Sequence, residues 1–118
     1  MNQDLRKRTF EFSLNIIEIT ELLPKCKITD VIIYQLVKCG TSVGANYRAA
    51  KRARSDREFI SKINIVLEET DETLFWLEII KVKKWLQDET IEKMLKEANE
   101  LTSIFVSTLK TMNSKIRT

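Results

Sequence analysis

Apolar residues recur along this chain at helical spacing, in four segments separated by short polar or proline-containing stretches. The chain has one Pro and two Gly, so it holds few of the residues that hairpin turns require. The pattern predicts an all-α protein, an antiparallel up-down-up-down four-helix bundle formed by a single domain over residues 1–118. The predicted helices are 3–23, 29–54, 56–83 and 89–114.

Capping residues mark where three of these helices begin. Thr29 and Asp88 stand just before apolar-periodic segments and are predicted N-caps. Ser55 and Glu58 have the spacing of a capping box, in which each side chain bonds the backbone N–H of the other. Because Ser55 follows the second segment at once, we expect the second and third helices to be antiparallel neighbours.

The first segment has two apolar faces. One face is a predicted core stripe, and a second face, roughly opposite, carries Phe10, Leu14 and Ile17. A helix at the rim of a monomeric bundle needs only one apolar stripe. Exposed Phe and Ile side chains on a small domain usually mark an interface, so this second face predicts an oligomer.

The second and third segments carry further candidate contact surfaces. Gly40 and Gly44 lie on the core face of the second segment and indicate a close helix crossing. Its opposite side is a stripe of small residues. This stripe is either a solvent-exposed face without long side chains or, as we prefer, a surface that a helix of another subunit approaches closely. On the third segment, Trp76 is either half-buried at the rim or an interface anchor. The small stripe is Ser42, Ala45, Asn46, Ala49 and Ala53, and the flank of the third segment is Ile65, Trp76 and Ile80.

The residues that carry catalytic and metal-binding chemistry are sparse. The chain has no His, which excludes the Ser-His and Cys-His arrangements of nucleophilic catalysis. Cys26 and Cys39 indicate neither a zinc site nor a disulfide framework, so we expect no metal, no cofactor and a cytoplasmic protein that is not an enzyme. No apolar run reaches the ~20 residues of a membrane span, and we expect no membrane partner.

Charge is distributed unevenly along the two central segments. Between Lys38 and Lys62 there are seven basic and two acidic residues, whereas 68–78 holds five acidic residues and no basic one. The basic cluster predicts a nucleic-acid-binding corner, and its alternatives are a solvated helix junction or a contact with the acidic flank of another subunit. The candidate residues of this basic corner are Arg48, Lys51, Arg52, Arg54 and Arg57.

The chain resembles the four-helix-bundle proteins called 23S rRNA intervening-sequence proteins, which are similar to the accessory protein of diversity-generating retroelements. The resemblance rests on 42–46, which reads Ser-Val-Gly-Ala-Asn, on Ser55 with Glu58 and Phe59, and on the run 69–78. Many family members continue the Asn with an aliphatic residue and Ala-Glu-Gly, where this chain has Tyr-Arg-Ala-Ala at 47–50. The resemblance implies a homopentamer and, for the retroelement cousin, a nucleic-acid-binding partner of a reverse transcriptase.

Two functions follow from these features. The first is a non-catalytic homo-oligomer, expected to be a pentamer, that binds RNA or DNA through the basic corner. The second is a protein-interaction scaffold that receives a reverse transcriptase or another protein on its apolar surfaces and binds no nucleic acid. Salt-sensitive binding to mixed nucleic acid separates the two.

Overall fold

Four helices account for nearly all of the chain, and the computed structural model describes residues 4–117. They are α1 (Leu5–Thr20), α2 (Lys27–Lys51), α3 (Asp56–Lys83) and α4 (Asp88–Arg117). Residues 4–117 contain no strand, and the helices run up and down along a rod of 51 × 24 × 21 Å. The predicted all-α four-helix bundle is confirmed. Within the described range, no helix is both long and apolar enough to cross a membrane.

The ends of α1 are defined by a side-chain cap and by a proline. The Asp4 carboxylate accepts from the backbone N–H of Lys7 at 3.2 Å, and the predicted start at Gln3 lies outside the described residues. The helix ends at Thr20, so its predicted end at Leu23 is wrong by three residues. Beyond Thr20 the chain continues in i→i−3 hydrogen bonds, such as that from the Leu23 N–H to the Thr20 carbonyl oxygen at 3.3 Å, and Pro24 has no N–H with which to extend the helix.

The start of α2 reverses the predicted roles of its first residues. Cys26 is the N-cap and Thr29 is the third helical residue, so the prediction of Thr29 as N-cap is wrong. The Thr29 hydroxyl accepts from the Cys26 backbone N–H at 3.0 Å. Thr29 therefore caps the helix from within, and its side chain is fully buried.

The first and last residues of α3 agree with the prediction, whereas the end of α2 and the start of α4 differ from it. Ser55 accepts from the Glu58 N–H at 3.0 Å, as the capping box predicts. The Glu58 carboxylate instead bonds the N–H of Arg54, at 2.9 Å. The loop 52–55 follows α2, which ends before its predicted limit at Arg54. Asp88 is the first residue of α4 rather than its N-cap.

The core lies between consecutive helices, which pack in the order α1, α2, α3 and α4. Its largest fully buried side chains come from all four helices and include Phe12, Leu36, Leu77 and Phe105. Ile80, which the sequence placed on the flank of the third segment beside the core stripe, also lies here and is fully buried. The reason is that α3 is covered by α2 on one side and by α4 on the other, which widens its buried stripe.

α1 and α2 cross closely at the two glycines. A Cβ atom on Gly40 would lie 2.7 Å from Cγ2 of Ile16, and one on Gly44 would lie 2.7 Å from Oγ of Ser13. Both distances are shorter than van der Waals contact allows. The prediction of a close crossing at Gly40 and Gly44 is confirmed.

α1 and α4 are separated by an open groove of about 830 Å³. Near the N-terminal end of α1, Arg8 bridges the two helices: its guanidinium donates to Glu97 at 2.7 Å and to Glu100 at 2.8 Å. These hydrogen bonds, that to Glu97 foremost, raise the pKa of Arg8 above its ordinary value. A bidentate arginine therefore connects the first and last helices where apolar packing is thin.

Candidate functional site

The basic corner forms where the chain turns from α2 into α3. Arg48 and Lys51 lie in the last turn of α2, where cations interact favourably with the unpaired carbonyl groups of the helix end. The Arg52 N–H bonds the carbonyl oxygens of Ala49 and Ala50 and closes the helix. Four residues later α3 begins, so the turn concentrates positive charge at one end of the rod.

All five predicted residues of the basic corner are exposed to solvent: Arg48, Lys51, Arg52, Arg54 and Arg57. The Arg54 side chain is 91% exposed, and its guanidinium lies 3.8 Å from the Glu58 carboxylate. An exposed i, i+4 pair of this length contributes little. The guanidinium groups of the corner are thus accessible to an anionic partner.

The C-terminal end of α4 adds a lysine that sequence reasoning did not include. The Lys115 ammonium lies 3.5 Å from the Asp56 carboxylate, which stands in the first turn of α3. Asp56 and Glu58, the two acidic residues of this region, therefore both have basic neighbours. Lys115 lies just beyond the predicted end of the last helix at 114, and only the antiparallel return of α4 brings it to the corner.

Arg48 differs from the other four basic residues. Its guanidinium lies over the Phe10 ring, 5.9 Å from the centroid, and so leans towards α1. Phe10 is 52% exposed. The crossing of α1 and α2 therefore places Phe10, which belongs to the second apolar face of α1, beside the basic corner. Tyr47 itself is buried, and that burial raises its pKa.

The predicted second face of α1 is solvent-exposed in the single chain. Phe10, Leu14 and Ile17 are 52%, 43% and 38% exposed. Together with Ala45 and Arg48 of α2 they line a groove of about 250 Å³, here called the α1–α2 groove. Of the predicted small stripe, only Ala45 lies in this groove.

The other small-stripe residues lie away from the groove. Ser42, Asn46, Ala49 and Ala53 are all half-buried, and the Asn46 amide donates to the Ser42 carbonyl oxygen at 3.0 Å. A second subunit on this side would therefore meet small side chains that are already partly covered. Their role as an interface stays a prediction.

The flank of α3 presents a different aromatic residue from the one singled out in the sequence. Ile65 and Trp76 are half-buried, and the Trp76 indole N–H donates to Glu72 at 3.3 Å. Its neighbour Phe75 is 54% exposed and contacts the Trp76 ring edge-to-face at 5.0 Å. Sequence reasoning missed Phe75, because it lies on the side of the third segment that faces away from the core stripe.

The carboxylates of α3 and the two cysteine thiols are side chains of kinds that could bind a metal ion. Burial, followed by repulsion from Glu72 and Glu68, raises the pKa of Glu69. Within residues 4–117, no group of three acidic, Cys or His side chains is placed to hold a metal ion. Cys26 is exposed and Cys39 is buried, and neither is in a disulfide.

Fold and surface together define a small four-helix-bundle protein that presents a basic corner beside an apolar groove. The model of the 23S rRNA-intervening sequence protein family matches residues 1–107, and the chain belongs to this family. The resemblance proposed from the sequence motifs is thereby confirmed.

A solved relative has the same fold. It is a protein of unknown function from the S23 ribosomal protein family of Bacteroides thetaiotaomicron, 31% identical in sequence, with a TM-score of 0.83. The match covers 90% of this chain and 98% of that one. No curated protein matches the chain.

Proposed function

We propose that this protein is a non-catalytic homo-oligomer that binds nucleic acid through the basic corner. The observation that carries the proposal is the convergence of five exposed cationic side chains at one end of the rod, with Lys115 of α4 beside them. Duplex DNA and RNA present closely spaced phosphates, and affinity rises steeply with the number that a protein neutralises. Five copies, the number that the family resemblance implies, would present the corner five times.

The expected nucleic-acid binding has little sequence preference. Recognition of bases requires side chains aimed at base edges or aromatic rings on which bases stack. Tyr47 is buried, Phe59 is half-buried, and the exposed Phe10 ring is covered on one side by Arg48. The attraction between cationic side chains and phosphates is thus the main contribution to binding. Because RNA and DNA both carry phosphates, either one in the cytoplasm would be a suitable partner.

A protein-interaction scaffold is the second candidate. It is favoured by the exposed apolar side chains of the α1–α2 groove and by Phe75, since contiguous exposed apolar surface on a small domain marks contact with another protein. The contact with a reverse transcriptase that the resemblance implies would use these apolar surfaces, whereas the nucleic-acid binding implied together with it belongs to the first candidate. The scaffold predicts no salt-sensitive binding to nucleic acid.

Fluorescence anisotropy with mixed RNA and with mixed DNA at two salt concentrations tests the first proposal. The variant Lys51→Gln/Arg54→Gln/Arg57→Gln should bind more weakly and reduce the slope of log affinity against log salt by about 2 to 3 on duplex DNA, as three lost phosphate contacts require. This set spares Arg48, whose position beside Phe10 connects it to the α1–α2 groove.

The matched control removes three positive charges from elsewhere on the rod. Lys84→Gln/Lys93→Gln/Lys96→Gln changes the net charge equally, and all three residues are exposed. An equal loss of affinity in the control would show that net charge, and not the corner, governs binding. No salt-sensitive binding by the wild-type protein would leave the scaffold as the function.

A further inference from the structure

The α1–α2 groove has the shape of a receptor for an apolar ridge. Phe10, Leu14 and Ile17 follow one another at i, i+4 and i+7 along α1, and each is more than one-third exposed. The facing wall of α2 is formed by Thr41, Gly44 and Ala45, and the absent or small side chains of the last two leave the groove open to about 250 Å³. Arg48 stands at one end, over the Phe10 ring.

The outer face of α3 carries a ridge with the same spacing. Phe75, Ile79 and Val82, here called the α3 ridge, also follow at i, i+4 and i+7. Phe75 is 54% and Val82 is 78% exposed, and Ile79 is half-buried between them. The edge-to-face contact with Trp76 supports the Phe75 ring, so the ridge is presented on a helix whose inner side is packed.

The charges beside the two surfaces are opposite. Asp71, Glu72 and Glu78 flank the α3 ridge, and Lys83 lies beside Val82 at its far end, so that carboxylates outnumber ammonium groups along it. Beside the groove, Arg48 is joined by Arg52, at the C-terminal cap of α2, and by Lys7, one turn before Phe10, while Glu21 lies one turn beyond Ile17 at the other end. If two grooves faced each other, the Arg48 side chains of the two copies would repel. If two ridges faced each other, their carboxylates would repel. A ridge seated in a groove instead pairs carboxylates with cations.

The two surfaces cannot meet within one molecule, because α3 packs between α2 and α4 and its ridge points away from the core. We propose that the α3 ridge of one copy seats in the α1–α2 groove of a second copy. Such a contact joins two different patches and is heterologous, so it closes into a ring or continues as a chain. This inference rests on the proposed homo-oligomer and specifies the surfaces that form it.

Two polar variants test the contact. Leu14→Asn/Ile17→Asn disables the groove and leaves the ridge, and Phe75→Asn/Val82→Asn disables the ridge and leaves the groove. All four positions are more than one-third exposed, so the fold should persist, as far-ultraviolet circular dichroism and thermal unfolding would verify. Light scattering should report each variant alone as a monomer of 13.8 kDa.

Mixing the two variants is the decisive step. One intact ridge and one intact groove remain in the mixture, so it should form a 1:1 complex of twice the 13.8 kDa chain mass and grow no further. A control variant, Val106→Asn on α4, should keep the wild-type mass. Self-association of the ridge variant would indicate groove-to-groove contact, self-association of the groove variant would indicate ridge-to-ridge contact, and either result overturns the proposal.

The remaining outcomes separate this proposal from the proposed function. A mixture that stays monomeric overturns the docking of ridge and groove while the wild-type oligomer stands. A wild-type protein that is itself monomeric at micromolar concentration overturns both the oligomer and the docking. Nucleic-acid binding is measured separately with the basic-corner variant, and neither its presence nor its absence decides whether the ridge docks in the groove.

Discussion

The Ser13 hydroxyl of α1 donates a hydrogen bond to the backbone carbonyl oxygen of Gly40 in α2, at 2.8 Å and away from solvent. The same hydroxyl accepts from the backbone N–H of Gly44 at 3.1 Å. One side chain thus joins two helices through main-chain groups that only a close crossing exposes. The crossing sets the position of α1, and therefore the width of the α1–α2 groove.

Replacing Ser13 with alanine should destabilise the fold by about 1 to 2 kcal/mol, because two interhelical hydrogen bonds are lost at a buried site. Chemical denaturation, compared at one protein concentration, measures the change. Ser61→Ala is the matched control, since Ser61 is exposed on α3 and alanine has the higher helix propensity there. An equal effect of both variants would show that the Ser13 bonds do not stabilise the crossing.

Replacing Gly44 with alanine should also destabilise the protein, by about 1 to 3 kcal/mol, as overpacked sites do. The added Cβ would lie 2.7 Å from the Ser13 hydroxyl and 3.1 Å from the backbone oxygen of Thr9, which cannot rotate away. Helix propensity alone predicts a gain of about 1 kcal/mol. The sign of the change in the free energy of unfolding therefore distinguishes a close crossing from a loose one.

Lys84 offers a stabilising substitution. It closes α3 in the left-handed conformation, with φ at 58°, where a side chain is unfavourable and glycine is not. Lys84→Gly should raise the free energy of unfolding by about 0.5 to 1 kcal/mol, since it removes that steric cost. Lys96→Gly, in the interior of α4, should lower stability by about 1 kcal/mol. If both glycine variants were less stable than the wild-type protein, the left-handed backbone conformation of Lys84 would be contradicted.

The two cysteines should react very differently. Cys26 is exposed, and a hydrogen bond from Thr29 lowers its pKa. Cys39 is fully buried, its sulfur accepts from Thr73 at 3.3 Å, and burial raises its pKa to about 11. The thiolate is the reactive form, so the native protein at pH 8 should take up one alkyl group and the denatured protein two.

Mass spectrometry after brief treatment with iodoacetamide counts these groups. Cys26→Ser should abolish the native reaction and leave one site after denaturation. Rapid modification of Cys39 in this variant would mean that α2 and α3 separate far more readily than their packing indicates. The comparison therefore also reports on the core.

The family assignment and the fold were predictable from the sequence because both depend on local patterns. The cap at Ser55 and the apolar period of 56–83 fixed the limits of α3, and the stretch 42–46 indicated the family. Gly40 and Gly44 indicated a close crossing, since glycine in a helix interior needs a packing reason. The five basic residues of the corner were found because they all lie within the ten residues 48–57.

The tertiary structure decided what depends on residues distant in sequence. It buried Ile80, placed Phe10 beneath Arg48 and brought Lys115 to the basic corner. A helical wheel assigns a side chain to an angle, but burial depends on which neighbouring helices cover that angle. The pairing of α1 with α2, and the antiparallel return of α4, are set by the packing of whole helix faces. The composition of the groove and the extent of the corner follow from that packing.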